Sequence, residues 1–437
     1  MVVNRFCLSR SALMCSLALF GMSAQAATFN FDGIGKLEFN ADAAVKGYHL
    51  SNGEDNNPLV LPEDKSGVLT RVRLGINMYD ETGWAIKTRF LGFYNWAGDR
   101  RHSGGSGTNY NDGVNNDSLS LDEAYLEYSG INSWLFRVGR QEANWGYGFN
   151  ITDDRRDRIL AMKTMMLDSG YVGFLGIYDL RFAEDFSTAS AGNKEFTGDL
   201  SMYSLAAIGN YKGLDWGILA AYFDGSEATD FMNEVSNPYY THYFYNISPY
   251  FSKTIGDFSV KGAANVILSD ANKDLPIYFW GNNSWSGFVE GGYQIVNRFQ
   301  LQAQVAAMGD GGLVGRGWDS YSMLINSDPR NDINPVRSEF FGGFGNYNGN
   351  GGKDGVLFGM RGNWTPIEKL KLTFAVGHMD MDTYNADIFR DGVKSTFYDL
   401  NAVYEFKPGT TFELRAGYAD GDINDTAVMS TIRVKFG

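Results

Sequence analysis

Alternating ionic side chains are the chemistry this sequence displays most openly. Between Ser118 and Gln141 one run sets Glu123, Tyr125 and Glu127 against Ala124, Leu126 and Tyr128. A second sets Leu135, Arg137 and Gln141 against Trp134, Phe136 and Val138. A period of two puts each set on its own face of a strand. The Ser129-Gly130-Ile131-Asn132 connection joins the two runs as a hairpin. Carboxylates and guanidiniums on one face exchange charge-assisted hydrogen bonds with one another or with a passing charged or hydroxylated solute. Covalent chemistry has no comparable signal. His49, His102, His242 and His378 are isolated, and no nucleophile elbow or positioned acid-base pair accompanies them. The expectation is no catalysis, with a barrel lipase or protease left open as the case in which distant residues converge. Asp420, Asp422 and Asn424 lack the full ligand spacing of a calcium loop. No nucleotide-binding Gly-Lys motif, haem attachment motif or strong metal cluster occurs, so neither a metal nor a cofactor is expected.

Ionic faces of this kind must be carried by strands, and the pattern continues almost to the last residue. Candidate strands are 33–50, 67–80, 83–96, 118–129, 132–141, 158–168, 171–182, 199–211, 214–224, 241–252, 257–268, 278–293, 297–308, 355–364, 370–379, 395–406, 411–419 and 427–436. The run 158–168 also reads as a short helix, because of Met162, Met165, Met166 and Leu167. Eight tight connections alternate with nine longer ones, the tally of an even, eighteen-stranded meander with both termini at the short-turn end. The fold class is therefore all-β, a transmembrane antiparallel up-and-down barrel of 18 strands, within a range of 16–20. The upper value applies if 318–325 and 339–347 add a hairpin. Along 68–78, Val68, Thr70, Val72, Leu74, Ile76 and Met78 oppose Arg71, Arg73, Asn77 and Tyr79. Along 298–307, Phe299, Leu301, Ala303, Val305 and Ala307 oppose Arg298, Gln300, Gln302 and Gln304. In hydrocarbon every backbone amide and carbonyl needs a partner, and closure of the sheet removes the unpaired edges. A soluble sandwich or barrel with an apolar interior is the competing reading of the same alternation.

Composition agrees with closure in a membrane. Aromatic residues make up 15% of the 437-residue chain and glycine accounts for 53 residues, which suits a barrel with aromatic girdles. Trp84, Trp96, Trp134, Trp216 and Trp364 lie near proposed strand ends. No stretch beyond the N-terminus holds 18 consecutive apolar residues, which argues against transmembrane helices. Residues 1–26 read as a cleaved signal peptide: Arg5 and Arg10, the apolar run Ser11 to Met22, then Ala24-Gln25-Ala26. Cys7 and Cys15, the only two cysteines, fall within it, so the exported chain 27–437 has no disulfide. Losing the two arginines takes the net charge from -14 to -16 (37 basic residues less two, against 51 acidic), which disfavours nucleic acid as a partner.

With this parity, Arg71, Arg73, Lys87, Arg89, Arg137, Lys261, Arg298, Arg415 and Arg433 project inward, together with Glu123 and Glu127. Rows of opposite sign in a narrow aqueous channel set up a transverse field and select by size and charge. The same neighbours can instead neutralise one another across the wall. The long loop 309–354 has the length and the Gly-rich ends to fold inward. Arg316 and Arg330 on it, with Arg140, Arg155 and Arg156 near the Trp145-Gly146-Tyr147-Gly148-Phe149 stretch, would ring the mouth of the passage, as an entrance network or a plug.

Leu121-Asp122-Glu123-Ala124-Tyr125-Leu126 through Phe136-Arg137-Val138-Gly139-Arg140-Gln141, followed by the Gly-rich stretch and Arg155-Arg156, resembles the corresponding hairpin of outer-membrane porins of the alginate-export type. Members of that family are eighteen-stranded channels, and its namesake carries an anionic polysaccharide through an arginine-bearing lumen. The resemblance implies that Arg137, Arg140 and Arg155 serve the pathway and its mouth. Arg140 has lipid-face parity unless a bulge turns it inward. The last run, ending at Phe436 with Gly437 after it, resembles the C-terminal signal of bacterial outer-membrane barrels. The expected function is passive transport of small hydrophilic solutes, acidic or carbohydrate-like ones among them, across the outer membrane of a Gram-negative bacterium, with outer-membrane lipid around the barrel. A structural or binding barrel, an adhesin or a sheath for a protein partner, is the alternative. Whether the barrel stands alone or as a homo-oligomer is open.

Overall fold

A computed structural model describes residues 27–31, 35–52, 65–96, 119–182, 200–224, 243–269, 283–315, 318–326, 341, 352–383 and 392–436. Residues 1–26, read from the sequence as a signal peptide, lie outside them. A short strand β1 (Ala27–Phe31) comes first, followed by β2 (Gly35–Asn52), β3 (Lys65–Tyr79), β4 (Trp84–Trp96), β5 (Leu119–Tyr128), β6 (Trp134–Trp145) and β7 (Ile151–Leu167). Next come β8 (Gly170–Phe182), β9 (Leu200–Tyr211), β10 (Leu214–Asp224), β11 (Tyr243–Ile255), β12 (Phe258–Ser269) and β13 (Ser284–Val296). The last six are β14 (Phe299–Gly309), β15 (Gly352–Ile367), β16 (Leu370–Thr383), β17 (Val393–Lys407), β18 (Thr410–Gly421) and β19 (Asp425–Phe436). Each strand from β2 to β19 pairs antiparallel with its sequence neighbour, and β19 pairs with β2 from Asp425↔Asn52 to Phe436↔Ala41. The result is a closed barrel of 18 strands. β1 pairs with the start of β2, from Ala27↔Phe39 to Phe31↔Gly35, and so continues the lane that β19 vacates at Phe436.

Eight connections at one end are short, and nine leave from the other end, as the spacing in the sequence implies. The short turns carry local locks: the carboxylate of Asp80 accepts from the Thr82 hydroxyl at 2.6 Å and from the Trp84 amide at 2.7 Å. Those bonds, the Thr82 hydroxyl foremost, hold this carboxyl below its ordinary pKa.

The two faces separate sharply. Val305 on β14 is 47% exposed on the outside, whereas its neighbour Gln304 is 1% exposed and faces the lumen. Leu74, Leu126, Val138, Ile159, Phe174, Leu205, Val356 and Leu400 are likewise exposed on the outer wall. A continuous apolar exterior is costly in water, at about 25 cal/mol per Å², and is what a bilayer-spanning wall requires. Aromatic rings rim it at both ends. At the loop end Tyr178, Tyr203, Tyr222 and Tyr245 are successive register partners on β8 to β11, with centroids 5.2, 6.4 and 5.2 Å apart. At the turn end Trp84 lies 4.6 Å from Tyr128, and Phe258 4.5 Å from Tyr293. Tyr203 and Tyr211 bound β9 eight residues apart, about 26 Å along a strand at ~3.3 Å per residue. With strand tilt taken off and ring reach added, that matches an apolar band of about 25 Å.

Two departures from the sequence expectation matter for the lumen. Strands β6 and β7 are longer than 132–141 and 158–168 and pair with each other up to Trp145↔Ile151. Residues 158–167 are strand, as first expected, and not helix. Residues 318–326 form no wall strand; they pack inside the barrel, with Trp318, Tyr321, Met323, Leu324 and Ile325 buried against Phe288, Leu357, Met379, Phe397 and Ala419. The inner face at the loop end is therefore apolar over much of β12 to β19, a correction to the uniformly polar lining that parity implied.

Candidate functional site: the barrel lumen

The lumen is shaped by a hairpin that leaves the wall. β5 pairs with β6 only as far as Ala124↔Arg140, and β7 pairs with β8 only as far as Asp157↔Leu180. Above those points residues 141–156 pair only with each other, so neither neighbouring strand holds them in the wall. Gly139 provides the departure: its φ of +125° suits glycine, and a Cβ there would sit 2.3 Å from the Ala124 carbonyl oxygen. The hairpin crosses the lumen to strands β11 to β13. Trp145 Nε1 donates to the Ser248 carbonyl at 2.8 Å, beside Pro249, whose missing N–H interrupts the β11–β12 ladder. Asn265 Nδ2 donates to the Phe149 carbonyl at 3.0 Å. Phe149 then meets Phe288 at 4.9 Å and Trp318 at 5.1 Å.

The second inward segment, described at residues 310–315 and 318–326, seats against the first. The Gly315 amide donates to the Phe149 carbonyl at 2.7 Å. Asp319 receives Arg361 Nη1 at 2.7 Å, and Asp399 receives both the Met323 amide at 2.8 Å and Arg415 Nε at 2.7 Å. The Arg361 guanidinium lies 4.0 Å from the centre of the Tyr321 ring. Burial, reinforced by the nearby Glu290 carboxylate, pushes the Tyr321 phenol well above its ordinary pKa.

A bulge builds the base of the hairpin. In the β4–β5 ladder Arg89 faces Glu123 while Phe90 faces Leu121, leaving Asp122 unpaired and turned inward. Asp122 accepts from Arg89 Nε at 2.5 Å and from Arg155 Nε at 2.8 Å. Glu123 lies 2.5 Å from Arg89, and Glu142 lies 3.6 Å from Arg89 and 3.9 Å from Arg155. Breaking such a buried pair costs about 3–5 kcal/mol, so this cluster fastens the hairpin to the wall it came from.

The other sequence-marked residues fall as follows. Arg71, buried, bonds Asp42, and Arg73 is the register partner of Asp42. Arg433 and Arg71 are both register partners of Ala44. Lys46, also buried, lies in the field of Glu413 as well as Arg71, Arg415 and Arg433. Lys87 donates to Tyr79 Oη at 2.6 Å, and Tyr79 donates to Glu38 at 2.7 Å. Arg137 Nε reaches Glu127 at 2.8 Å, and Lys261 reaches Glu290 at 3.1 Å. Arg155 is in the hairpin cluster, and Arg156 Nη1 donates to the Arg155 carbonyl at 3.4 Å. Arg140 keeps outward parity and lies 3.7 Å from Asp157, both exposed. Arg298 sits in the short turn before β14 and donates to the Pro366 carbonyl near the end of β15 at 2.8 Å. Its place in the wall is corrected, because β14 starts only at Phe299. Arg316 and Arg330 lie outside the described residues.

The sequence reading passed over Asp122, Lys46, Asp179, Arg361 and Asp399, whereas Asp319 belongs to the two-signed set expected on the 309–354 loop. Lys46 shares the parity of Glu38 and Asp42, and Arg361 has the inward parity of β15, so alternation alone marks both. Asp179, fully buried, takes Arg158 at 2.5 and 2.8 Å. Among the described residues no group of three or more His, Cys, Asp or Glu is placed to hold a metal ion.

No protein-family model and no curated protein matches the sequence. Solved structures do match the fold. OccK9 (OpdG) of Pseudomonas aeruginosa aligns with a TM-score of 0.59 at 9% identity, over 91% of this chain and 98% of that one. A BenF-like porin from Pseudomonas fluorescens Pf-5 aligns with 0.57 at 9% identity, over 92% and 98%. OccK2 (OpdF) of Pseudomonas aeruginosa, solved in complex with glucuronate, aligns with 0.56 at 9% identity, over 91% and 96%. At such identity the likeness is one of fold alone.

Proposed function

We propose that this barrel is a passive channel for small hydrophilic solutes, acidic or carbohydrate-like ones among them, in the outer membrane of a Gram-negative bacterium. One observation carries the reading: a closed barrel with an apolar, aromatic-rimmed exterior encloses a two-signed lumen narrowed by an inward hairpin. Nothing in that arrangement calls for covalent chemistry. His49 Nδ1 lies 2.7 Å from Ser66 Oγ and His378 Nδ1 lies 3.1 Å from Thr396 Oγ1, and no carboxylate bonds either ring among the described residues. Residues 1–26 act as a cleaved leader in this reading, and the start of β1 at Ala27 is in keeping with cleavage after Ala26. The finer likeness to alginate-export porins draws no support from the comparisons, and an anionic polysaccharide is not proposed as cargo. Glucuronate bound to a protein of the same fold is in line with a small acidic sugar as one solute.

A second reading, a plugged binding barrel, is favoured by the apolar packing of residues 318–326 inside the wall. Conductance in planar bilayers separates the two. A channel gives resolved single-channel steps, and in unequal salt Arg137→Glu shifts selectivity toward cations by roughly twofold, because Glu127 loses its partner. Arg298→Glu, in a turn, leaves selectivity in place. Silence of the purified barrel in bilayers would decide for the plugged reading.

A further inference from the structure

The wall opposite the arginine-rich strands carries a different constellation. One inward register row runs through Tyr171, Asn210, Asp215, Ser252, Lys261 and Glu290, on six consecutive strands from β8 to β13. Asn210 Nδ2 donates to Asp215 at 2.6 Å, and Lys261 is held by Glu290. The tip of the inward hairpin hangs above this row. Tyr147, in the left-handed region at φ 59°, stays 38% exposed, bonds Ser252, and has the Lys261 ammonium 5.9 Å from its ring centre. Its ring meets Tyr250 edge-on at 5.4 Å, and Trp145 meets Tyr250 at 5.1 Å. Tyr250 in turn lies against Gly217, where a Cβ would sit 2.3 Å from the ring.

We propose that this corner is a subsite for a neutral six-membered sugar ring, stacked on Tyr147 with its hydroxyls on the polar row; the proposal rests on the channel reading. An aromatic face accepts the C–H face of a pyranose. Ser252, Lys261 and Glu290 on neighbouring strands, about 4.8 Å apart, offer donors and acceptors at a spacing comparable with alternate ring hydroxyls. Charge excludes the competing ligand class. The row holds two carboxylates to one ammonium, and that ammonium is already paired, so a carboxylate solute meets net repulsion here and attraction only at the arginine wall. Tyr147 is held in a costly backbone conformation, with its ring set edge-on against Tyr250.

Sugar block of single-channel current is the test, with glucose and the open-chain polyol sorbitol as probes. Wild type is expected to be half-blocked by glucose at about a tenfold lower concentration than by sorbitol, the effect of one good stacking contact. Tyr147→Leu removes that preference and Tyr147→Phe keeps it. Tyr203→Leu, in the outer aromatic rim, keeps it as well. Equal block by the two probes in wild type, or a preference that survives Tyr147→Leu, overturns the subsite and leaves the channel reading standing. A barrel that inserts and passes no current overturns both. Should Tyr147→Leu fail to fold, the wild-type comparison and Asp215→Asn, expected to weaken glucose block about threefold through one lost acceptor, decide the matter alone.

Discussion

Asp122 shows how much one side chain off the regular alternation can do. Strict alternation from Glu123 assigns it to the outer face, and only the bulge opposite Arg89 and Phe90 turns it inward. Once inside it neutralises two guanidiniums, Arg89 and Arg155, one from the wall and one from the hairpin. Asp122→Asn leaves those cations facing each other with Glu123 and Glu142 as weaker partners. The expected loss is about 3 kcal/mol of hairpin docking, seen as frequent brief closures in single-channel records and as earlier proteolytic cutting at the hairpin tip. Records as quiet as wild type would mean that the cluster does not hold the hairpin. By contrast, Arg71, Lys87, Arg89, Glu127 and Arg137 could be placed from the sequence, because a period of two fixes a side chain's face wherever the ladder is regular.

At the scale of elements, the hairpin of β6 and β7 separates what alternation encodes from what it does not. Alternation marks a wall strand because its two faces meet different media. Residues 141–156 meet lumen on both sides, so no such contrast marks them, and the paired stretch reads as a loop. Loop length and glycine content announce the inward fold of residues 310–315 and 318–326, but alternation gives no sign of their apolar packing on Phe149, Phe288 and Leu357. The anchor across the lumen is Trp145, through its bond to Ser248 and its contact with Tyr250. Trp145→Ala removes about 3 kcal/mol of packing and frees the tip. Open-channel conductance is expected to rise by roughly half or more, since channel resistance is concentrated at the constriction. A conductance equal to wild type would place the narrowest point elsewhere.

Across the whole molecule, the number of strands, their parity and the short-turn end were all readable in the chain, because a bilayer imposes one rule on every strand at once. The seam was not. β19 and β1 share one lane along β2, so Phe436 and Ala27 abut where the barrel closes; short end segments carry too little pattern to announce their partner. The filling of the loop end by two inward segments was also beyond alternation, for the reason given above.

The division of the wall into a lipid face and a water face can be read directly by cysteine labelling in intact outer membranes, since the only native cysteines, Cys7 and Cys15, precede the first strand of the barrel. Leu205, 73% exposed on the outer wall of β9, and Asp215, on the inward row of β10, are the positions to compare. A water-soluble maleimide is expected to modify Asp215→Cys readily and to leave Leu205→Cys untouched until detergent is added. Labelling of Leu205→Cys with Asp215→Cys protected would contradict a membrane-spanning channel.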